Sequence, residues 1–236
     1  MQMENSPMTR IAVFYDGSYF SEISNFYRYQ HERKARINFT GFHDFIAAEV
    51  AGMKKNDPTN CKIVEKHYFR GRFSTESSIQ RNCLDKDRLF DDVLLREGIV
   101  PHYLPMDESS GTPRERGVDV SLAIEAIDLA WHKAFEVLAL VACDGDYVPL
   151  VRKLGSKGIQ TLLVACDFSY ERNGREKVTR TSQPLIAECS YAVMMHDEVD
   201  SRSRRHDQLI RNLFMNGSHR YRSGTEFRRT IVASPI

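Results

Sequence analysis

The feature that most constrains this chain is an unbroken apolar run at residues 137–142, closely followed by Asp144-Gly145-Asp146. A continuous apolar strand buries both of its faces, which is typical of a central strand in a parallel sheet. Ligands of such sheets bind beyond the carboxyl ends of the strands. The run and its acidic exit therefore predict a fold class and indicate where a functional site lies.

The other segments alternate between the two kinds of secondary structure. Short apolar runs predict strands at residues 10–15, 62–69, 99–104, 159–164 and 191–195. Apolar spacing of three to four residues and chain breakers predict helices at 18–29, 40–54, 77–96, 118–131, 146–156 and 183–188. The segments 105–117 and 167–180 are predicted to be loops. This alternation indicates an α/β domain with a mainly parallel sheet.

The predicted organisation is one domain with two appendages. A disordered N-terminus is expected at residues 1–8, the domain at 9–198, and a basic tail at 199–236. From residue 200 onward there are eight arginines against three acidic residues, a net charge of +5. The tail is expected to contain one short helix and to meet an acidic or nucleic-acid partner.

The composition argues against secretion and membrane insertion. The sequence has no apolar stretch long enough to cross a bilayer and no apolar signal segment at its start. Its five cysteines include no CxxC pair, and three of them lie in or beside apolar runs, which is typical of small buried thiols in a reducing compartment. We therefore expect a cytoplasmic protein that does not contact a membrane.

Four acidic residues are predicted to meet at one edge of the sheet. Asp16 follows the first strand, Asp144 and Asp146 follow the fourth, and Asp119 begins the helix after the third. Each alone is compatible with a turn or a helix cap. Together they would repel one another unless a cation lay between them. Carboxylates favour Mg²⁺ or Mn²⁺, and no cysteine–histidine set at zinc-type spacing competes.

Three segments resemble one known family. FYDGSYF (14–20), RGVDVSLAIEA (116–126) and VACDGDYVPLV (141–151) are similar, in this order, to the NYN domain, specifically its LabA-like branch. The resemblance covers roughly residues 9–198. It implies a PIN-like three-layer α/β/α fold and an Mg²⁺- or Mn²⁺-dependent ribonuclease site. The catalytic and metal-binding positions it implies are Asp16, Asp119, Asp144 and Asp146.

The chain departs from the family pattern at three places. Tyr19 stands where the family often has asparagine, and Ala142-Cys143 replaces a small polar pair before Asp144. Arg116 stands where a lysine is usual. The loss of an amide near the metal favours an alternative function, described below.

A nuclease needs cations beside its acids, because phosphate contacts supply most of the affinity for RNA. The candidates for RNA contact are Ser18, Tyr19, Arg70, Arg72 and Arg116. Tyr19, with Tyr68 and Phe73, could stack on unpaired bases, which suits single-stranded RNA.

The leading hypothesis is thus a metal-dependent ribonuclease that cleaves RNA with a metal-activated water. The alternative is a non-catalytic RNA-binding or regulatory adaptor that keeps the same fold. A phosphatase using Asp144 and Asp146 ranks third, because that chemistry usually places the acidic pair after the first strand. Dinucleotide binding is excluded, since no strand is followed by a GxGxxG segment. A homodimer is compatible with the sequence.

Overall fold

A computed structural model describes residues 8–109, 111–172, 174–204 and 206–215 of the 236-residue chain. The strands are β1 (Thr9–Asp16), β2 (Cys61–Arg72), β3 (Val100–Pro105), β4 (Val137–Val141), β5 (Gln160–Ala165), β6 (Phe168–Arg172), β7 (Arg175–Thr179) and β8 (Tyr191–Met194). The helices are α1 (Gly17–Tyr29), α2 (Phe39–Lys54), α3 (Thr75–Gln80), α4 (Leu84–Arg96), α5 (Val118–Trp131), α6 (Val148–Gly155), α7 (Gln183–Glu188), α8 (Met195–Asp200) and α9 (Gln208–Asn212). Short 3-10 turns, Pro58–Asn60 and Gly145–Tyr147, precede β2 and α6.

Six strands form one sheet in the order β3-β2-β1-β4-β5-β8, and every neighbouring pair is parallel. Helices cover both faces, so the predicted three-layer α/β/α fold of the PIN-like kind is confirmed. The strand order reverses between β1 and β4. In doubly wound sheets this switch point opens a crevice at the carboxyl ends of the two strands.

Each face of the sheet has its own hydrophobic core. Ile11, Val13 and Tyr15 of β1 point towards α1, α2, α4, α8 and α9, whereas Ala12 and Phe14 point towards α5, α6 and α7. The alternation follows from the two-residue period of a strand. Burial on both faces explains why β4 is apolar throughout and why β1 is apolar from Ile11 to Tyr15.

A β-bulge in β2 changes which side chains face which core. Ile11 lies opposite Ile63, but Ala12 lies opposite Glu65, so Val64 is an extra residue in the ladder. Beyond the bulge, Phe69 packs in the core under α5, while Tyr68 packs in the core under α1. A shift of one residue exchanges the two faces of a strand, so the bulge decides the surroundings of every later β2 side chain.

One segment predicted as a single continuous helix is interrupted in the structure. The segment predicted as a helix at 77–96 is two helices, α3 and α4, separated by residues 81–83. Asn82 between them has a φ of +54°. Asparagine tolerates this left-handed conformation, which cannot continue a right-handed helix. Similarly, the predicted helix at 146–156 begins as the short 3-10 turn and continues as α6.

The predicted loop at 167–180 was also wrong, because β6 and β7 form an antiparallel hairpin there. Asn173-Gly174 is a sequence signal for a tight hairpin turn. Gly174 has a φ of +70°, a value that glycine adopts without steric cost. In the loop predicted at 105–117, Pro105 ends β3, and the described residues after it are irregular apart from one bridge, in which Asp107 and Arg114 exchange backbone hydrogen bonds of 2.9 and 3.0 Å.

The packed part of the chain continues beyond residue 198. Ile210 and Leu213 in and after α9 are fully buried. The Asn38 N–H donates to the Leu213 carbonyl at 2.8 Å, and the Met215 N–H donates to the Arg36 carbonyl at 2.9 Å. The predicted short helix of the tail is therefore part of the core under α1 and α2.

Residues 216–236 of the predicted tail, and residues 1–7 of the predicted disordered N-terminus, lie outside the described residues. Across the described segments, no helix is long and apolar enough to cross a membrane.

Candidate active site

A cleft of about 290 Å³ lies at the switch point, beyond the carboxyl ends of β1 and β4. Five carboxylates line it: Asp16, Glu22, Glu115, Asp119 and Asp144. Three of them are predicted site residues, so the structure brings Asp16, Asp119 and Asp144 to one cavity. The other two were not predicted.

Asp16 ends β1 and caps α1. Its Oδ1 accepts a hydrogen bond of 3.1 Å from the Tyr19 N–H, which occupies one lone pair and fixes the carboxylate. The next residue must be glycine, because a Cβ at Gly17 would lie 2.5 Å from the Phe69 carbonyl oxygen. The Gly17 carbonyl instead accepts a hydrogen bond of 2.7 Å from the Tyr68 hydroxyl. The β1–α1 turn is therefore held closely against β2.

Asp119 approaches Asp16 from the first turn of α5, and a tyrosine lies between them. The Tyr147 hydroxyl donates to Asp119 Oδ1 at 2.6 Å and lies 3.4 Å from Asp16 Oδ2. One hydroxyl oxygen is thus within 3.4 Å of both carboxylates. Because Tyr147 is only 1% exposed, its ring is fixed by packing and the hydroxyl holds both acids in place.

Asp144 follows β4 and caps the 3-10 turn before α6. Its Oδ1 accepts a hydrogen bond of 3.0 Å from the Asp146 N–H. Asp146 itself is exposed and is not among the residues that line the cleft. Of the two acids in the Asp-Gly-Asp segment, the structure thus places only Asp144 in the cavity.

The two unpredicted acids already have partners. Glu22 of α1 pairs with Lys177 of β7 at 2.5 Å, and Glu115 accepts a hydrogen bond of 2.7 Å from the Gly71 N–H. Glu22 follows Asp16 by about one and a half helical turns and carried no motif signal. The predicted loop at 167–180 hid Lys177, which the hairpin brings to the rim of the cleft.

The electrostatics of the cleft reflect the crowding of negative charge. Burial raises the pKa of Asp16 to about 6, and the charges of Asp119 and Glu115 add to the rise, although the Tyr19 N–H opposes it. Burial also raises the pKa of the Cys143 thiol to about 12, with further contributions from Asp16 and Asp144. The ionised form of Asp16 is therefore costly here without a cation.

The donor set of the cleft fits a hard divalent cation. Asp16, Asp119 and Asp144 offer carboxylate oxygens, which Mg²⁺ and Mn²⁺ prefer. The partly desolvated carboxylates gain most from a compensating positive charge. The residues present are thus suited to hold such an ion.

The predicted RNA-contact residues lie at several different places in the structure. Ser18 and Tyr19 line the cleft, but the Tyr19 hydroxyl is bonded to the backbone of Cys166 at 2.7 and 3.0 Å. Arg72 pairs with Asp91 at 2.7 Å and stacks on Tyr103. Tyr68 is fully buried, so the expectation that its ring stacks on bases was wrong.

The remaining two arginines lie on different surfaces, Arg116 exposed and Arg70 half-buried. Arg116 pairs with Asp107 at 2.6 Å, yet its side chain is 71% exposed. Arg70 lines a separate groove between α1 and α4 rather than the acidic cleft.

The family model of the NYN domain matches residues 10–196. The chain belongs to the NYN domain family. Its NYN domain is a PIN-like nuclease domain, which supports a nuclease-type function with nucleic acid as the general substrate class. Nucleases of this kind generally use divalent metals.

One solved structure shares the fold of this NYN domain protein. It is a protein of unknown function, VPA0982, from Vibrio parahaemolyticus, with a TM-score of 0.53 and 18% sequence identity. The similarity covers 82% of this chain and 96% of the other. At this identity the likeness shows the fold alone. Among curated proteins, no relative was matched.

Proposed function

We propose that this NYN domain protein, of the LabA-like branch, is an Mg²⁺- or Mn²⁺-dependent ribonuclease that cleaves single-stranded RNA. The observation that carries the proposal is the convergence of Asp16, Asp119 and Asp144 in one cleft, with a single tyrosine hydroxyl between two of them. Its five cysteines are all free thiols, which supports a reducing, cytoplasmic compartment for it.

The proposed roles follow from the positions of the side chains. Asp16, Asp119 and Asp144 would hold the cation, and Asp146 would act from outside the cleft lining. A bound divalent cation supplies a water nucleophile at neutral pH and offsets charge on the phosphodiester. Tyr147 keeps Asp119 and Asp16 oriented through its hydroxyl. Fixed ligands reduce the reorganisation needed when the substrate reacts.

The substrate needs cations, and the rim of the cleft offers two. Lys177 lies there through its pair with Glu22, and Arg116 is exposed just ahead of α5. We propose that RNA phosphates compete with Glu22 and Asp107 for these cations. Exposed ion pairs of this kind contribute only about 0–1 kcal/mol, so the exchange costs little.

The direct test is cleavage of a labelled single-stranded RNA by the full chain with Mn²⁺, Mg²⁺ or excess chelator. We expect cleavage with either ion and none with chelator. Asp16→Asn, Asp119→Asn and Asp144→Asn should each lower the rate at least about 100-fold, the scale seen when one electrostatic group of an active site is removed. Asp146→Asn should have a smaller effect.

A matched control is Asp128→Asn, which removes an exposed carboxylate from α5, the same helix that carries Asp119. It should cleave like the parent. Equal cleavage by Asp144→Asn and the parent would mean that a contaminant is responsible, and the ribonuclease proposal would fail.

A non-catalytic RNA-binding adaptor is the second candidate. Tyr19, which replaces the amide frequent in the family, has its hydroxyl bonded to Cys166 and offers no amide ligand to the cleft. A non-catalytic adaptor should bind RNA with an affinity that falls as the salt concentration rises, and it should not cleave RNA with Mn²⁺, Mg²⁺ or chelator.

A further inference from the structure

A second group of ligand-type side chains lies between β2, β3 and α5, apart from the acidic cleft. His67 of β2, His102 of β3 and Glu125 of α5 each offer one ligand atom, and these atoms all lie within 4.8 Å of one another. His67 is 5% exposed, and the other two residues are half-buried. The residues are distant in sequence, so no spacing motif indicates the group.

The two imidazoles are already in direct contact. His67 Nδ1 lies 2.9 Å from His102 Nε2. Two imidazole nitrogens bound to one tetrahedral Zn²⁺ are about 3.3 Å apart, given zinc–nitrogen distances of about 2.0–2.1 Å. Binding an ion in place of the shared proton would lengthen this nitrogen–nitrogen separation by about 0.4 Å and would turn both lone pairs towards a common point beside the line that joins the nitrogens.

A carboxylate outside the group orients the first histidine. Glu65 Oε2 lies 3.2 Å from His67 Nε2. An ionised Glu65 requires the proton of His67 on Nε2, which leaves the Nδ1 lone pair directed at His102. A ligand histidine usually has its other ring N–H bonded in this way to a carboxylate, which fixes the tautomer and raises basicity.

The rings are also held by stacking. His67 stacks on Phe14, with ring centroids 4.7 Å apart, and His102 stacks on Phe69 at 4.2 Å.

The charge of the group is unbalanced. In the described part of the chain, Glu125 makes no hydrogen bond or ion pair with another side chain. Two carboxylates, Glu65 and Glu125, thus flank the two imidazoles, and a divalent cation would compensate both negative charges. The β2 bulge at Val64 is what directs Glu65 and His67 towards α5 rather than α1.

We propose that His67, His102 and Glu125 form a zinc-type metal site, independent of the carboxylate cleft, with Glu65 as its orienting residue. A set of two imidazoles and one carboxylate suits Zn²⁺ better than Mg²⁺. The ion would tie the edge strand β3 and helix α5 to β2. Because Asp119 begins α5, about 9 Å along the helix from Glu125 at 1.5 Å per residue, the site would also fix the position of that acid.

The test uses the full chain after treatment with a chelator, with Co²⁺ as a spectroscopic probe and Zn²⁺ as competitor. The first equivalent of Co²⁺ should give visible bands of nitrogen–oxygen ligation, and Zn²⁺ should displace it. Zn²⁺ should also raise the melting temperature. His102→Gln and Glu125→Gln should weaken Co²⁺ binding at least tenfold, and Glu65→Gln by about tenfold, as for other orienting residues.

Two controls separate this site from other sources of binding. His132→Gln removes an exposed histidine at the end of α5 and should bind like the parent. Asp16→Asn should also keep Co²⁺ affinity, because it changes only the acidic cleft. Metal-free His102→Gln and Glu125→Gln should unfold cooperatively, which shows that lost binding is not lost folding.

The proposal is overturned if the parent shows no histidine-dependent Co²⁺ spectrum, or if His102→Gln and Glu125→Gln bind within twofold of the parent. It is also overturned if Asp16→Asn abolishes Co²⁺ binding. Failure here would leave RNA cleavage with Mn²⁺ unaffected, so it is distinguishable from failure of the ribonuclease proposal.

Discussion

At the scale of single residues, the free energy needed to ionise the acidic cleft is raised by burial and by neighbouring charges, and a bound cation would lower it. Asp16 shows this most clearly, because it is largely buried and faces Asp119 and Glu115. The folded protein binds the Asp16 proton more tightly than the unfolded chain does, since the folded pKa is about 6 and the ordinary value is 3.8. The contribution of Asp16 to stability is therefore greatest at low pH and is lost as pH rises from about 4 through 6.

Asp16→Asn should accordingly stabilise the metal-free protein at pH 7.5 by about 3 kcal/mol, since the Asp16 pKa rises from 3.8 to about 6 and one pKa unit is worth about 1.4 kcal/mol. The amide oxygen can still accept the Tyr19 N–H, so the cap is kept. The gain should disappear at about pH 4. Urea unfolding of both proteins at the two pH values measures it, and a variant less stable than the parent at pH 7.5 would contradict the account.

Tyr147→Phe removes the hydroxyl that lies between Asp119 and Asp16. Hydrogen bonds to charged groups contribute about 1.5–3 kcal/mol, so we expect a loss of that order in the free energy of unfolding without metal. Tyr191→Phe is the matched control, because Tyr191 is exposed and should tolerate the change. Equal stability of Tyr147→Phe and the parent would show that the hydroxyl does not hold the acids.

The sequence predicted the acids better than their surroundings. Asp16, Asp119 and Asp144 follow from their places after strands or at a helix start. From the sequence alone, Tyr147 is indistinguishable from an ordinary aromatic residue of the core. Glu22 and Glu115 are likewise indistinguishable from solvent-exposed charged residues. Only the packing of α5 and of the 3-10 turn against β1 reveals that these side chains meet.

At the scale of elements, helices α8 and α9 extend the core beyond the predicted boundary of the domain. Leu213 is fully buried, and its carbonyl accepts the Asn38 N–H that precedes α2. A Cβ at Gly41 would collide with the Asn212 backbone, which shows how closely α9 approaches α2.

Leu213→Ala should therefore lower the free energy of unfolding by about 2–5 kcal/mol, the range for a buried leucine. Leu95→Ala is the control, since Leu95 of α4 is 69% exposed and should change stability by less than about 0.5 kcal/mol. Chemical unfolding of the two variants and the parent measures these changes in the free energy of unfolding. Similar stability for both variants would mean that α9 is not part of the core.

The elements that the sequence missed have local causes. The break between α3 and α4 depends on one left-handed residue, Asn82, inside an otherwise helical pattern. The β6–β7 hairpin is rich in charged residues, so its weak alternation resembles a loop, although Asn173-Gly174 signals a turn. Long apolar strands such as β1 and β4 were predictable because burial on both faces allows few other sequences.

At the scale of the whole molecule, the strand order explains why distant acids meet. Asp16 and Asp144 end neighbouring strands on either side of the switch point, and α5 begins beside them. Asp16 and Asp144, which are 128 positions apart, thus line one cavity. The alternation of strands and helices in the sequence predicts this meeting in outline. The histidine–glutamate group on β2, β3 and α5 has no such sequence signature.

The most direct test of the central claim is Mn²⁺ binding to the full chain, measured by titration calorimetry at neutral pH. His102→Gln serves as the background, so that ions at the other proposed site do not contribute. In this background, we expect Mn²⁺ binding that Asp16→Asn and Asp144→Asn each weaken at least tenfold and that Asp128→Asn leaves unchanged. Binding of equal strength in all of these variants would contradict a shared cation site in the acidic cleft.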